Sequence, residues 1–63
     1  MTRKLALITG AASGLGFEFC RLLAADGHDL VMVDKDQESL EHSAGELRQS
    51  SGTTIKTLVQ DLG

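Results

Sequence analysis

The chain has 63 residues, with no proline, no tyrosine and no tryptophan, one cysteine and two phenylalanines. Each shortage excludes something. With Cys20 alone, no internal disulfide can form, and one cysteine with His28 and His42 gives no zinc spacing. No metal site is expected, and Cys20 reads as a small buried hydrophobe in a reducing compartment. A net charge of -3 without a basic cluster argues against nucleic acid and against an anionic membrane surface as partners. Arg3 and Lys4 precede an apolar run, residues 5–8, that is too short for a signal peptide or a membrane span, so a cytoplasmic location is expected. Without tyrosine, a mechanism that needs one cannot be carried by these residues alone.

What is present alternates. Residues 4–9 (KLALIT) form a continuous apolar run that ends at Gly10, as expected of a strand buried on both faces of a parallel sheet. A helix is predicted over residues 14–25, with Leu15, Phe19, Leu22 and Leu23 as its apolar stripe and Gly27 as a left-handed C-terminal cap. Residues 29–34 (DLVMVD) predict a second buried strand. Asp36 is the expected N-cap of a second helix that ends near Gln49, with Leu40, Ala44 and Leu47 inward. Residues 50–52 (SSG) read as a loop, and residues 53–59 (TTIKTLV) as a third strand rich in β-branched side chains. His28, His42, Glu18, Arg21, Glu41 and Arg48 read as exposed helix-end or helix-surface residues.

The order β-α-β-α-β predicts an α/β fold with a three-stranded parallel sheet, strand order 3-2-1 and right-handed crossovers. Residues 1–63 then make one mononucleotide-binding, Rossmann-type half of a doubly wound domain, incomplete by itself. In that order the first strand lies at an edge, which invites association with another chain or a second copy.

The unusual stretch is ITGAASGLG, residues 8–16, with glycines at 10, 14 and 16. It joins the first strand to the first helix, at the sheet's carboxyl edge, where open α/β sheets bind ligands. Free N–H groups at a helix start attract phosphate. Gly10 permits a sharp turn, Gly14 lets a pyrophosphate approach the backbone, and Gly16 lets the helix pack closely. A triphosphatase loop needs Gly-x-x-x-x-Gly-Lys-Ser/Thr, whereas the Gly10 to Gly14 interval is one residue shorter and no lysine follows. The common G-x-G-x-x-G fingerprint opened by Gly14 and Gly16 would end on Phe19. What remains is T-G-x-x-x-G-x-G, formed by Thr9, Gly10, Gly14 and Gly16.

That pattern resembles the cofactor loop of the short-chain dehydrogenase/reductase family. VMVDKD, residues 31–36, is similar to the family's second strand with its acidic tip, and LVQDLG, residues 58–63, resembles the end of its third strand. The resemblance implies an oxidoreductase that passes a hydride between a nicotinamide cofactor and a carbonyl or alcohol substrate. It implies that Gly10, Gly14 and Gly16 shape the phosphate loop, that the Ser13 side chain reaches the adenosine ribose, and that the Leu15 N–H faces the pyrophosphate. Asp34 would accept from the ribose hydroxyls, and Asp61, with the Leu62 backbone beside it, would meet the adenine. A carboxylate at Asp34 repels a 2′-phosphate and favours NAD; Lys35 is the type of residue that NADP-preferring members use, so NADP stays open. The family's Asn-Ala-Gly loop, catalytic serine and Tyr-x-x-x-Lys pair are absent, so no catalytic residue is assigned and the 63 residues alone are expected to be inactive. The alternative is a non-catalytic nucleotide-binding or interaction module.

Overall fold

The computed structural model describes residues 4–61. Strands β1 (Leu5–Thr9), β2 (Asp29–Asp34) and β3 (Ile55–Val59) alternate with helices α1 (Gly14–Ala25) and α2 (Gln37–Ser51). The strands make one parallel sheet in the order β1-β2-β3, which is the predicted 3-2-1 arrangement read from the other side. The register places Ala6 beside Leu30, Ile8 beside Met32, and Leu30 beside Ile55. Ala6 and Ile8 pack against the core built from Leu30, Met32 and Ile55 together with inward residues of both helices. Because strand side chains alternate, Leu5 and Leu7 point to the other face, where they are 69% and 64% exposed. Among the described residues nothing pairs with the free edge of β1.

Helix α1 turns a different face inward from the one its large side chains suggest. Leu15, Phe19 and Leu22 are all exposed, while Cys20 and Ala24 are buried and Phe17 and Leu23 are half-buried. The inner line is Gly16, Cys20, Ala24, small residues four apart, which lets the helix axis come close to the sheet. The rotation is set by Gly16. A Cβ built there would meet the Gly10 carbonyl oxygen, lie 2.8 Å from the Gly10 carbonyl carbon and 3.3 Å from the Ala11 Cα. Only a bare Cα fits that contact, and it fixes which residues follow on the same face.

The second helix begins as expected. The Ser39 N–H donates to Asp36 Oδ1 at 3.3 Å, and Leu40, Ala44 and Leu47 are buried, joined by Ser43. It ends later than expected, because Gly52 adopts φ +72° and the helix runs to that left-handed cap. Ser50 and Ser51 sit in the last turn, their hydroxyls donating to the Leu47 carbonyl at 3.4 and 2.7 Å. β3 starts later in compensation. The Thr53 N–H is held by Ser51 Oγ and the Thr54 N–H by Asp29 Oδ1 at 3.1 Å, which keeps both threonines in the turn. Gly27 takes φ +89° after α1, as its placement predicts.

Three side chains expected at the surface, those of Arg48, Glu41 and His28, do more than line it. The Leu30 N–H donates to the Thr54 carbonyl and the Gln60 N–H to the Asp34 carbonyl, so the alternate residues Ile55 and Thr57 turn their backbone groups to the outer edge of β3. Arg48, reaching over from α2, donates through Nε to the Ile55 carbonyl at 3.1 Å and through a terminal nitrogen to the same oxygen. Thr57 Oγ1 donates to Glu41 at 2.9 Å. His28 is not exposed: its side chain retains 17% of its accessible area, and Nδ1 is buried without a hydrogen bond, 3.6 Å from Asp26 Oδ2. The pair Glu18 and Arg21 does lie in solvent, 2.7 Å apart.

Candidate functional site

β1, β2 and β3 end side by side at Thr9, Asp34 and Val59, and a cleft of ≈ 610 Å³ opens at these carboxyl ends. Gly10 and Ser13 line it from the first loop, Asp34 and Lys35 from the second, Gln60 and Asp61 from the third. Three segments far apart in sequence therefore converge because parallel strands all finish on one edge. Among the described residues no group of three His, Cys, Asp or Glu side chains is placed to hold a metal ion, and no helix is long and apolar enough to cross a membrane.

The glycine loop is a turn folded back on itself. Gly10 takes φ +63°, a conformation that side chains disfavour. Its carbonyl accepts from the Ser13 N–H at 3.3 Å and from Ser13 Oγ at 3.1 Å. Ser13 is the residue that would ordinarily cap α1, yet its side chain makes no cap hydrogen bond. The first helical amide with a main-chain partner is Phe17, whose N–H donates to the Ser13 carbonyl. Among the described residues the N–H groups of Gly14, Leu15 and Gly16 have no acceptor. Such a row of donors at the positive end of a helix is an anion site. At Gly14 a Cβ would meet nothing within 4 Å, so its bare Cα faces open space. The glycine there is not demanded by the protein's own packing, unlike Gly16.

Asp34 ties the loop to the second strand. Its Oδ2 accepts from the Ala12 N–H at 3.0 Å and its Oδ1 from the Asp36 N–H at 3.1 Å. The Ala12 N–H, followed by that of Asp36, holds the carboxyl below the usual aspartate range, so it is charged at neutral pH. Lys35 is exposed beside it on the cleft. The expected site residues Gly10, Ser13, Asp34 and Asp61 thus line one cleft, while Gly14, Leu15 and Gly16 form the helix start next to it. Leu62 lies outside the described residues. Two contributors escaped the sequence reading. Gln60 lines the cleft, and its place one residue after β3 is the signal that marks it. The Ala12 amide is a main-chain group and leaves no mark in the residue pattern.

Comparison with known proteins agrees with this geometry. A sequence profile described as short chain dehydrogenase matches residues 4–63. The very-long-chain 3-oxoacyl-CoA reductase of Phaeosphaeria nodorum is 43% identical over 58 residues, which cover 89% of this chain and 17% of the relative. A bulky-bulky ketone specific alcohol dehydrogenase from Comamonas testosteroni superposes with a TM-score of 0.93 at 39% identity, covering 98% of this chain and 26% of that one. A short-chain dehydrogenase from Sphingobium yanoikuyae, solved in complex with NADPH, gives a TM-score of 0.91 at 42% identity over 94% of this chain and 23% of its own. The 63 residues span between about a sixth and a quarter of these relatives. With the glycine loop and the parallel sheet in agreement with a profile that matches residues 4–63, the chain belongs to the short-chain dehydrogenase family.

Proposed function

We propose that the chain is the nicotinamide-dinucleotide-binding part of an oxidoreductase acting on a carbonyl or alcohol. The observation that carries the reading is the row of unengaged N–H groups at Gly14, Leu15 and Gly16, next to the fixed carboxylate of Asp34. The pyrophosphate fits at the helix start, over the open space at Gly14. The adenosine ribose fits between Ser13 and Asp34, and the adenine beside Asp61. Ser13 Oγ donates inward to Gly10, which leaves its lone pairs to accept from a ribose hydroxyl. When bound, the dinucleotide supplies the hydride; these residues bind and orient it.

NAD is the preferred cofactor in this reading. The charged Asp34 stands where a 2′-phosphate would go, and its two backbone bonds prevent it from swinging aside. The Sphingobium yanoikuyae relative was solved with NADPH, and Lys35 gives this chain one group suited to that phosphate. Calorimetric titration of the full-length protein with NAD and with NADP decides. The expected result is tighter binding of NAD, with the ratio moving toward NADP in Asp34→Ser. A wild type that already prefers NADP overturns the assignment, and one that binds neither overturns the site.

The 63 residues alone hold no tyrosine and are expected to show no dehydrogenase activity. A Tyr-x-x-x-Lys pair after Gly63 in the protein that carries this chain supports the enzyme, and its absence there supports a non-catalytic nucleotide-binding module. The open edge of β1 and the exposed Leu5 and Leu7 favour association through that edge, and a cytoplasmic location suits the buried free thiol of Cys20.

A further inference from the structure

Two consecutive amides fasten the glycine loop to β2. The Ala11 N–H donates to the Val33 carbonyl at 3.1 Å and the Ala12 N–H to Asp34 Oδ2 at 3.0 Å. The first bond uses a main-chain acceptor that any residue at position 33 supplies. The second depends on one side chain, which is held in turn at its other oxygen by the Asp36 N–H. One residue beyond Ala12 lies Ser13, and after it the three unengaged amides of residues 14–16. We propose that Asp34 is a positioning residue for those amides as well as a ribose acceptor: its carboxylate latches the loop to the tip of β2 and sets where the phosphate-binding N–H groups point. The proposal rests on the dinucleotide reading above.

The latch joins the two ends of the adenosine diphosphate site through one side chain. A ribose hydroxyl that donates to Asp34 shares oxygens already used by Ala12 and Asp36, and the lone pairs of a carboxylate suffice for all of them. Removing the carboxylate then has two opposed effects on a bare anion at the helix start. Loss of a nearby negative charge strengthens anion binding. Release of Ala12 frees the loop and weakens it, because the amides must be ordered again on binding. The direction of the change tells which dominates.

Inorganic pyrophosphate is the probe, since it has no ribose for Asp34 to meet. Titrated calorimetrically into the full-length protein, it is expected to bind about tenfold more weakly to Asp34→Ala, the scale of one hydrogen bond to a charged group. Asp34→Asn keeps a carbonyl oxygen of the same reach for Ala12 and is expected to recover most of the loss. Asp34→Ala binding pyrophosphate no more weakly than Asp34→Asn overturns the latch, because both variants lose the charge and only Asn keeps an acceptor for the Ala12 N–H. Should Asp34→Ala fail to fold, the wild type carries the test. With alanine-selective ¹⁵N labelling, the Ala12 amide is expected to be protected from solvent exchange without any ligand, and exchange at the rate of an open chain overturns the proposal. A wild type that binds neither pyrophosphate nor a dinucleotide defeats the dinucleotide reading, while the Ala12 exchange still decides the latch.

Discussion

Replacing Gly16 by alanine adds one methyl group at the tightest place in the chain. The new Cβ meets the Gly10 carbonyl oxygen and stands 2.8 Å from the Gly10 carbonyl carbon. Carbon atoms in ordinary contact sit about 3.5 Å apart, so this contact must open by about 0.7 Å. Both groups in the way are backbone, and neither can rotate aside as a long side chain would. Either α1 lifts from the sheet or the Gly10 turn moves. The turn is tied by Ser13 to its own carbonyl and by Ala11 and Ala12 to β2, so it resists. Overpacking costs about 1–3 kcal/mol, and a backbone clash belongs near the top of that range. The better helix propensity of alanine returns at most about 1 kcal/mol. A net loss of about 2 kcal/mol remains, which lowers the melting temperature by about 8–16 °C in a folded unit of 60–100 residues and by about half that in a larger one. Thermal unfolding of the full-length protein, followed by circular dichroism, checks it. A Gly16→Ala variant that melts with the wild type refutes the reasoning, because the contact between helix start and turn would then have room to spare.

Gly14→Val makes the opposite pairing: with no atom within 4 Å of its Cβ, it is expected to change stability by less than about 1 kcal/mol while abolishing dinucleotide binding, as thermal melts and calorimetry on the same sample will tell. The Asp34 carboxyl is held low by the Ala12 and Asp36 amides, so the folded chain gives up that proton more readily than the unfolded one. Its contribution to stability is therefore complete above the unfolded value, about 3.9, and disappears as pH falls through the lower folded value. Urea midpoints measured from about pH 6 downward should show the wild type losing an advantage over Asp34→Asn below about pH 4; parallel pH profiles contradict it. Arg48→Ala uncovers the Ile55 carbonyl, and with this bond only partly buried the cost is expected near 1 kcal/mol, read from urea unfolding.

The alternation of apolar runs and helical segments was enough to predict the element order, the parallel pairing and the strand order, because each depends on local pattern and on chain-crossing rules. The glycine spacing located the loop, and Gly10 and Gly16 proved to be needed for the reasons glycine usually is, a positive φ and a close approach. The inward face of α1 was not legible from hydrophobicity. Leu15, Phe19 and Leu22 outweigh Cys20 and Ala24 on any such scale, yet the steric demand at Gly16 decides the rotation. The small residues four apart at 16, 20 and 24 were the better signal. Ser50 and Ser51 read as loop by composition, but a helix stops where its left-handed cap sits, and Gly52 supplies it. Glu41 and Arg48 are exposed, as expected, yet they bond to Thr57 and to the Ile55 carbonyl in another element, partners that no residue pattern reveals, and nothing in the sequence marks the burial of the His28 ring. The bond from Ala12 to Asp34 spans 22 positions and belongs to the same class.

The guanidinium over the Ile55 carbonyl makes the two borders of the sheet unequal. A strand arriving beside β3 would have to displace Arg48 from the Ile55 carbonyl before it could dock, whereas among the described residues no side chain is seen bonded to the outer edge of β1. The guard is also quick to assemble. Arg48 and Ile55 are seven positions apart, so the ring that joins them closes at little entropic cost once α2 and β3 are laid down. Any growth of this sheet, whether by further strands of the same protein or by unwanted pairing between molecules, is therefore steered to one side.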